Sequence, residues 1–417
     1  MNRHAWLKSS VALAVTLAAS SANANGLSIN EQSASGMGTG FAGRSSSAED
    51  ASTLFGNPAG MSRLDRTEIS GGFATIFAST DISDAQGALP GSNDGDMVPN
   101  AVVPFGYLVS PLNDRWHAGF GVYAPFGVIS DYEKGFQGRY HSLYSKVQVI
   151  TLQPTLSYQV NDWVSVGFGP TINQIKGKLT RNSPHFTAPG VGPDTNVNVR
   201  GDDIGYGFNA GVLVDLTEQL RWGLTYHSKV DYTLEGRTRV AESVLPGLNG
   251  SYDASLDFTS PESIDTSITW EMDPRWTLYA GATWTRWSRL DKIVIKNEGV
   301  NPAYQGHIGA IEEDMQWDDI LSWAIGASYQ LTPQWVLRAG FTSDPSPTND
   351  THRTVRVPVS DRQIFSLGAG WDITPDLTLD VAYSYLYESK GEINTSDYTA
   401  EFQNSAHGLA TQATWRF

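Results

Sequence analysis

The 417-residue sequence contains no cysteine, so neither disulfide bonds nor thiolate-bound metals contribute to this protein. It is also short of positive charge: 28 Lys and Arg stand against 44 Asp and Glu, a formal net charge of −16. Because contacts to phosphates need clustered basic residues, this balance argues against nucleic acid as a partner. Beyond residue 24, no apolar run approaches the roughly 20 residues of a transmembrane helix, which excludes a helical membrane protein.

The N-terminus has the three parts of a secretory signal peptide. Arg3 and Lys8 give a positive start, Val11–Ala19 is a short apolar core, and Ala22–Ala24 is a small-x-small cleavage motif. We therefore predict a signal peptide over residues 1–24. An exported chain with these absences is either a soluble periplasmic protein or an outer-membrane β-barrel.

Six short polar turns recur about 40 to 60 residues apart, and each is followed by an alternating run. They begin at Asn113, Asn161, Thr217, Asp273, Thr332 and Thr374. Each interval has room for two strands and one longer polar loop. Short turns at one end and long loops at the other are typical of outer-membrane barrels. With the segments before the first turn and after the last, the count is fourteen strands.

Alternation and tryptophan placement decide which face is apolar. Over Trp323–Leu331, Leu377–Tyr387 and His407–Phe417, apolar or aromatic residues occupy one face and small or polar residues the other. A tryptophan lies close to every short turn: Trp116, Trp163, Trp222, Trp276, Trp335 and Trp371. Tryptophans at one level indicate an interfacial belt on the outside of a barrel, whereas a soluble sandwich has no reason to align them. The predicted fold is an all-β, antiparallel, 14-stranded transmembrane barrel. Its last strand ends in Phe417 and resembles the signal that the outer-membrane assembly machinery reads.

About forty residues precede the first strand and need a place. They are rich in Gly, Ser and Ala and carry almost no charge before Arg44. A fourteen-stranded barrel is too wide for its own side chains to fill. We therefore predict that residues 25–66 form an N-terminal plug inside the lumen, that Asn57-Pro58 turns the chain, and that residues 67–417 form the barrel.

At this point the sequence resembles the FadL-type outer-membrane transporters of long-chain fatty acids and aromatic hydrocarbons. The resemblance lies in "GLSINEQSASGMGTGFAG" (26–43), "NPAG" (57–60), "GVYAPFG" (121–127), "GFNAGVLVDL" (207–216), "LTYHSKVDY" (224–232) and "DPRWTLYAGATWTRWS" (273–288). It implies passive transport of a hydrophobic ligand, captured between the loops after Lys178 and after Glu235. It also implies a plug gate at Asn57, Pro58, Ala59 and Gly60, and a sideways exit into the membrane at a kink in the third strand.

The third strand itself favours such an opening. By parity Gly119, Gly121, Tyr123 and Pro125 face inward, and Ala124 faces lipid. Glycine and proline inside a strand mark bulges or close approaches. The alternative is a corner bulge with no gating role.

The inward-facing positions of the strands are more apolar than those of a porin lumen. The predicted ligand-lining residues are Ile175, Leu179, Arg181, Leu213, Tyr279, Val336, Ile364 and Leu386. Arg181, near the outer end, is the candidate for a carboxylate head group. Packing against the plug is the alternative for the apolar residues. For Arg338 we expect an ion pair with Asp215 or Asp380.

Two other functions are open to a barrel: a general diffusion porin and an outer-membrane lipase or protease. A long plug argues against the porin. No nucleophile–base motif is present, and the eight histidines lack ligand spacing, so we expect neither catalysis nor a cofactor or metal. "GTGFAG" (38–43) fits a dinucleotide fingerprint but lacks the flanking strand and helix. We expect a monomer that contacts outer-membrane lipid and lipopolysaccharide.

Overall fold

A computed structural model describes residues 26–183 and 194–417; the predicted signal peptide, 1–24, lies outside them. The described chain forms a closed antiparallel barrel. The first strand pairs with the last from Glu68–Arg416 to Gly87–Tyr398, which closes the ring. The predicted fourteen-stranded barrel is confirmed. Among the described residues, no helix has the length and apolar character to cross a membrane.

Nineteen hydrogen-bonded segments of the described chain build the fourteen strands. They are β1 (Glu68–Gly87), β2 (Ala101–Pro111), β3 (Trp116–Asp131), β4 (Tyr144–Asn161), β5 (Val164–Ser183), β6 (Thr195–Asp215), β7 (Leu220–His227), β8 (Val230–Ala241), β9 (Gly250–Ser260), β10 (Ser263–Glu271), β11 (Trp276–Thr285), β12 (Lys292–Glu298), β13 (Ala310–Asp314), β14 (Ile320–Thr332), β15 (Trp335–Asp344), β16 (Arg362–Thr374), β17 (Leu377–Glu388), β18 (Gly391–Asn394) and β19 (Tyr398–Arg416). Five strands are interrupted and consist of two segments each: β7 with β8, β9 with β10, β11 with β12, β13 with β14, and β17 with β18. Short helical turns lie at Trp287–Arg289, Pro302–Tyr304 and Gln305–Gly309.

The outer face carries the apolar side chains, as the alternation predicted. Ile325, Leu367 and Leu409 are half exposed or more on the outward parity of their strands. Near the short turns, the exposed tryptophans are Trp116, Trp163, Trp276, Trp335 and Trp371, while Trp222 is half-buried. An apolar band with an aromatic girdle is what a lipid bilayer requires of a barrel wall.

The N-terminal segment lies inside the ring. It contains two short helices, α1 (Ala34–Gly38) and α2 (Thr53–Gly56), and a 3-10 turn, Pro58–Arg63. The first helix packs on β16 and β17, and the 3-10 turn packs on β4, β5 and β6 on the other side. The N-terminal segment, which we call the plug, therefore contacts opposite sides of the wall.

Several strands extend farther outward than the sequence indicated. β1 continues to Gly87 instead of ending at Ser79, and the strands placed before loops at Lys178 and Glu235 continue to Ser183 and Ala241. Beyond the membrane both faces of a strand meet water or loops, so hydropathy alternation fades while the hydrogen-bonded ladder continues.

Candidate ligand path and its plug

The outermost cavity lies among the upper ends of β5, β6, β12 and β13. It has a volume of about 300 Å³. Leu179, Val199 and Ile293 supply apolar walls, while Arg181 and Arg356 supply charge. Arg353 is a third base in the lining, and Glu312, Glu313 and Asp314 supply three acids, so the mouth combines apolar walls with side chains of both charges.

Arg181 and Arg356 differ in their partners. Arg356 Nε donates to Glu313 Oε2 at 2.7 Å and its Nη2 donates to the His141 carbonyl at 2.9 Å. Arg181 Nε is buried without a hydrogen-bond partner among the described residues. The half-buried guanidinium of Arg181 therefore keeps an Nε–H donor that no described residue accepts from.

The second cavity, about 80 Å³, is almost wholly apolar. It shares Leu179, Val199, Ile293, Ile295 and Arg356 with the mouth, so the two are contiguous. Its remaining apolar lining comprises Leu27, Val128, Val147, Ile175, Leu234, Ala254, Leu256, Phe258, Leu290, Met315 and Val357. Leu27 lies near the start of the plug, so the plug contributes to the lining of this cavity.

The third cavity, about 130 Å³, lies on the other side of the N-terminal residues. Ser28 to Glu31 form one wall, and Tyr123, Pro125 and Phe126 of the third strand form another. Its surface is mixed, because Arg44 and buried polar wall residues also line it. Burial raises the pKa of the Glu31 carboxyl above its usual value. Residues 27–31 therefore separate an apolar chamber from one with a mixed lining.

The third strand is bulged where the sequence predicted a kink. Its register against β4 shifts between Tyr123 and Phe126. One consequence corrects the parity: Ala124 does not face lipid but is buried against Ile29 of the plug. The extra residue of the bulge turns two consecutive side chains to the inside, which strict alternation does not anticipate.

Above the bulge the seam between β2 and β3 parts. The two strands pair from Pro111–His117 up to Gly106–Val122. Beyond that point the free edge of β3 is taken by the plug: Ile29 N donates to Pro125 O at 2.9 Å, and Gly127 N donates to Leu27 O at 2.8 Å. The N-terminal residues therefore close a gap in the wall from within, as a short added strand.

The two inward glycines of the third strand also serve the plug. A Cβ on Gly119 would meet Leu54 Cδ1 at 2.6 Å, and one on Gly121 would meet Leu54 Cδ2 at 2.8 Å. The room that they leave is occupied by a plug leucine.

The "NPAG" turn ties the plug to the wall. Asn57 is fully buried, and its Nδ2 donates to Ser45 O at 2.7 Å and Val212 O at 2.9 Å, while Oδ1 accepts from Ala59 N at 3.0 Å. Pro58 begins the 3-10 turn, a position that needs no N–H donor. Gly60 lies against Thr53, where a Cβ would come within 2.1 Å of Oγ1.

Glycines of the wall leave room for plug atoms at this turn and at a second point. A Cβ on Gly211 would lie 1.9 Å from Asn57 Oδ1, so any side chain there would displace the asparagine. Gly223 meets Ser45 O in the same way, at 1.8 Å. Glycine in a strand marks such a close approach.

Charged contacts complete the attachment. Arg338 Nη1 donates to Asp380 at 2.7 Å and its Nη2 donates to Glu49 of the plug at 3.1 Å. Of the two partners predicted for Arg338, Asp380 is confirmed. Tyr279 also donates to Glu49, at 2.7 Å, so it faces the plug.

The other predicted lining residues divide by position. Ile175 and Leu179 line the second, apolar cavity. Arg181 lines the mouth, and Ile364 lines the third cavity. Leu386 packs against the plug cluster that contains Met37. Leu213 and Val336 lie outside the linings of these three cavities.

Sequence reasoning missed Arg356 and Leu27. Arg356 lies in a long loop, where strand parity gives no direction. Its one signal was the repeated basic–apolar pattern of "RTVRV" (353–357). Leu27 gave no signal, because a single leucine in a small-residue segment has no period.

Comparisons with known proteins agree with this architecture. Residues 15–417 match the family model described as "Outer membrane protein transport protein (OMPP1/FadL/TodX)". The chain is 27% identical to a long-chain fatty acid transport protein of Escherichia coli O6:H1, covering 97% of this chain and 96% of the relative. It is 29% identical to outer membrane protein P1 of Haemophilus influenzae, covering 96% and 98%.

Among solved structures, a Pseudomonas aeruginosa FadL homologue is similar to it with a TM-score of 0.82 and 25% identity, covering 94% of this chain and all of that one. The family match spans the plug, the bulged third strand and every strand of the wall. This chain therefore belongs to the OMPP1/FadL/TodX family of outer-membrane transport proteins.

Proposed function

We propose that this protein carries long-chain fatty acids or related lipophiles passively across the outer membrane and releases them sideways into the bilayer. The observation that carries the proposal is the order of the cavities. A mouth that contains Arg181 among side chains of both charges opens into an apolar chamber, and a plug segment separates that chamber from a cavity beside the parted β2–β3 seam. A single-file path of this kind suits a slender apolar ligand.

Entry of an apolar ligand along this path needs no energy source, because transfer of the ligand from water into an apolar chamber is itself favourable. Each methylene moved from water into an apolar chamber gains about 0.8 kcal/mol. The chambers of about 80 and 130 Å³ are smaller than the roughly 300–1,000 Å³ that enclose drug-sized ligands. A ligand must therefore displace Leu27 and its neighbours as it advances, and that displacement frees the edge of β3.

Within this path, Arg181 receives the carboxylate and Ile175 and Leu179 line the alkyl chain. Support comes from the vacant Nε of Arg181 above an apolar chamber. Fatty acids are favoured over neutral hydrocarbons, because the unpaired Nε–H of the half-buried Arg181 gains a charge-assisted bond only from an anionic head group.

The gate consists of the turn Asn57, Pro58, Ala59 and Gly60, and the lateral opening of Gly119, Gly121, Tyr123 and Pro125. The turn fixes the plug to β6 through Val212, while the inward glycines admit Leu54. Movement of this turn would withdraw Leu54 from the third strand. It would also loosen residues 27–31, which close the gap beside β3 and which we call the stopper.

The remaining assignments follow from the same model of export and transport. Residues 1–24 are a signal peptide, 25–66 the plug and 67–417 the barrel. The chain is a monomer without enzymatic activity, and its last strand, ending in Phe417, presents the assembly signal.

The sideways exit is testable with a disulfide, since the natural chain has no cysteine. Ser28 of the plug and Phe126 of the third strand form an antiparallel bridge pair, so Ser28→Cys/Phe126→Cys would lock the stopper onto the wall. The control is Ser70→Cys/Thr414→Cys, a buried pair on the β1–β19 seam. Uptake of labelled oleate and toluene is measured in cells lacking other hydrophobic transporters, before and after reduction.

We expect the oxidised stopper variant to take up oleate at background rate and to recover on reduction, while the control pair transports in both states. Undiminished uptake by the oxidised stopper variant would refute the exit route. Arg181→Met is expected to weaken oleate uptake about tenfold or more and to leave toluene uptake unchanged. An equal effect on both compounds would contradict the head-group role, and leakage of small sugars through the intact protein would favour a porin.

A further inference from the structure

Four basic residues lie side by side on neighbouring strands near the outer rim. Lys146 of β4 pairs in register with Lys178 of β5, which pairs in turn with Arg200 of β6. Arg200 then pairs with Arg237 of β8. Strands are about 4.8 Å apart, so this basic line, as we call these four residues, is about 14 Å long.

The basic line points out of the barrel, toward the membrane. On β5, Ile175 is buried while Ile172 is exposed, so even-numbered side chains face outward, Lys176 and Lys178 among them. Lys176 follows the exposed Ile172 by four residues. At about 3.3 Å per residue and a tilt of about 40°, it lies about 10 Å above that isoleucine. This is head-group height, just above the apolar band.

Nearby acids only partly neutralise the basic line. Lys176 and Arg239 add two bases to the outward face of β5 and β8. Asp202, Glu235 and Asp253 add three acids to the same face of the wall, Glu298 of β12 pairs in register with Asp253, and Asp131 of β3 pairs with Tyr144. Among the residues that the structure describes, the ion pair within this group is Arg237–Asp253, at 3.7 Å. Like charges directly opposite one another on a sheet are destabilising. Six bases nevertheless lie close together on the outward face of a chain whose net charge is −16.

The same height elsewhere on the rim is different. On β1, Asp81 follows the exposed Phe77 by the same four residues. Asp81 pairs in register with Gln403 of β19, and the next outward residue of β19, Glu401, is paired with Lys390 at 2.6 Å. The rim at β1 and β19 therefore lacks the row of bases found on β4, β5, β6 and β8.

We propose that the basic line binds the phosphate groups of the phosphorylated glycolipid that forms the outer leaflet of this membrane. The arginines offer planar forks that bind a phosphate through two bonds, and the lysines offer point charges. Lys178 Nζ lies 4.1 Å from the centre of the Tyr144 ring, which holds the ammonium at the surface and presents an aromatic face beside it for a sugar. Exposed apolar residues below the basic line, Ile172 among them, would contact the acyl chains of the glycolipid.

The test uses the purified full-length protein in micelles of a zwitterionic detergent. Binding is measured with bisphosphorylated lipid A, with the same lipid after enzymatic dephosphorylation, and with phosphatidylglycerol. The variant Lys176→Gln/Lys178→Gln is compared with a charge-matched control, Lys134→Gln/Lys390→Gln, which removes two exposed lysines outside the basic region. Heat-modified gel mobility verifies that each variant is a folded barrel, and Lys176→Arg/Lys178→Arg tests recovery with charge retained.

We expect bisphosphorylated lipid A to bind about 25-fold more weakly to the glutamine variant, about fivefold for each of the two basic residues removed. The control and the arginine variant should retain binding, and dephosphorylated lipid should bind all proteins weakly. Equal binding by the glutamine variant and its control, or equal affinity for phosphatidylglycerol, would overturn the proposal. Oleate uptake by the glutamine variant should stay normal, so this site and the transport path fail or succeed independently.

Discussion

Replacing Asn57 by alanine should release the plug without unfolding the barrel. The side chain makes three hydrogen bonds: it donates to Ser45 O of the plug and to Val212 O of the wall, and it accepts from Ala59 N within the turn. Each bond contributes about 1 kcal/mol net, and a buried group left without a partner costs about 1–3 kcal/mol. Allowing for water entering the vacated space, we expect the closed plug to lose about 3 kcal/mol.

That energy corresponds to about a 100-fold increase in the open population, since about 1.4 kcal/mol is a factor of ten. The assay is amide hydrogen exchange in micelles, followed at residues 45–60 and in the β5–β6 ladder. Protection in the turn should fall about 100-fold, while the ladder, whose bonds the substitution does not touch, should keep its protection.

The matched control is Asn297→Ala, because Asn297 is also buried and bonded through its amide, to Ile308 O and Thr238, but lies far from the plug. It should leave the protection of the turn unchanged. If Asn57→Ala alters protection in the turn by less than threefold, the turn does not hold the plug. If the ladder loses protection to the same extent, the asparagine supports the whole barrel and the reasoning is also wrong.

Other substitutions test the remaining attachments. Gly211→Ala should lower the free energy of plug closure by about 1–3 kcal/mol through overpacking, whereas Gly106→Ala, whose added methyl meets nothing within 4 Å, should be neutral in thermal unfolding. Arg338→Gln leaves two carboxylates without their charge partner and should destabilise the protein by about 3–5 kcal/mol, measured by denaturant unfolding; a change below 1 kcal/mol would contradict this. Burial raises the pKa of Glu31, so the contribution of its neutral form is present below the usual value of 4.5 and is lost as the pH rises through the raised pKa. Plug protection should therefore decline over that rise in pH, Glu31→Gln should abolish the decline, and an unchanged pH profile would count against the argument.

Much of the wall was predictable because its information is local. In Leu377–Tyr387 the period of two sets the outward face directly, and Leu379, Val381 and Tyr383 are exposed as expected. Short turns punctuate the chain at fixed polar residues, so the strand count needed no tertiary knowledge. The failures lie where the local rule changes: the bulge after Tyr123 reversed the side on which Ala124 lies.

The ligand path was only partly predictable. Strand parity predicted that the side chains of Ile175 and Tyr279 both face inward. Ile175 lines the apolar cavity, whereas Tyr279 packs on the plug. Which of these happens depends on where the plug touches the wall, and no period encodes that.

The sequence by itself determined a fourteen-stranded barrel with an apolar outer face, an aromatic girdle and a small-residue segment suited to fill it, because alternation and turn chemistry act between neighbours in the chain. Only the tertiary structure decided that Leu27 and Ile29 stop the gap beside Pro125, that Gly211 receives Asn57, and that the cavities follow one another to that gap. These contacts join residues about 100 or more positions apart, and they exist only once the ring has closed around the plug.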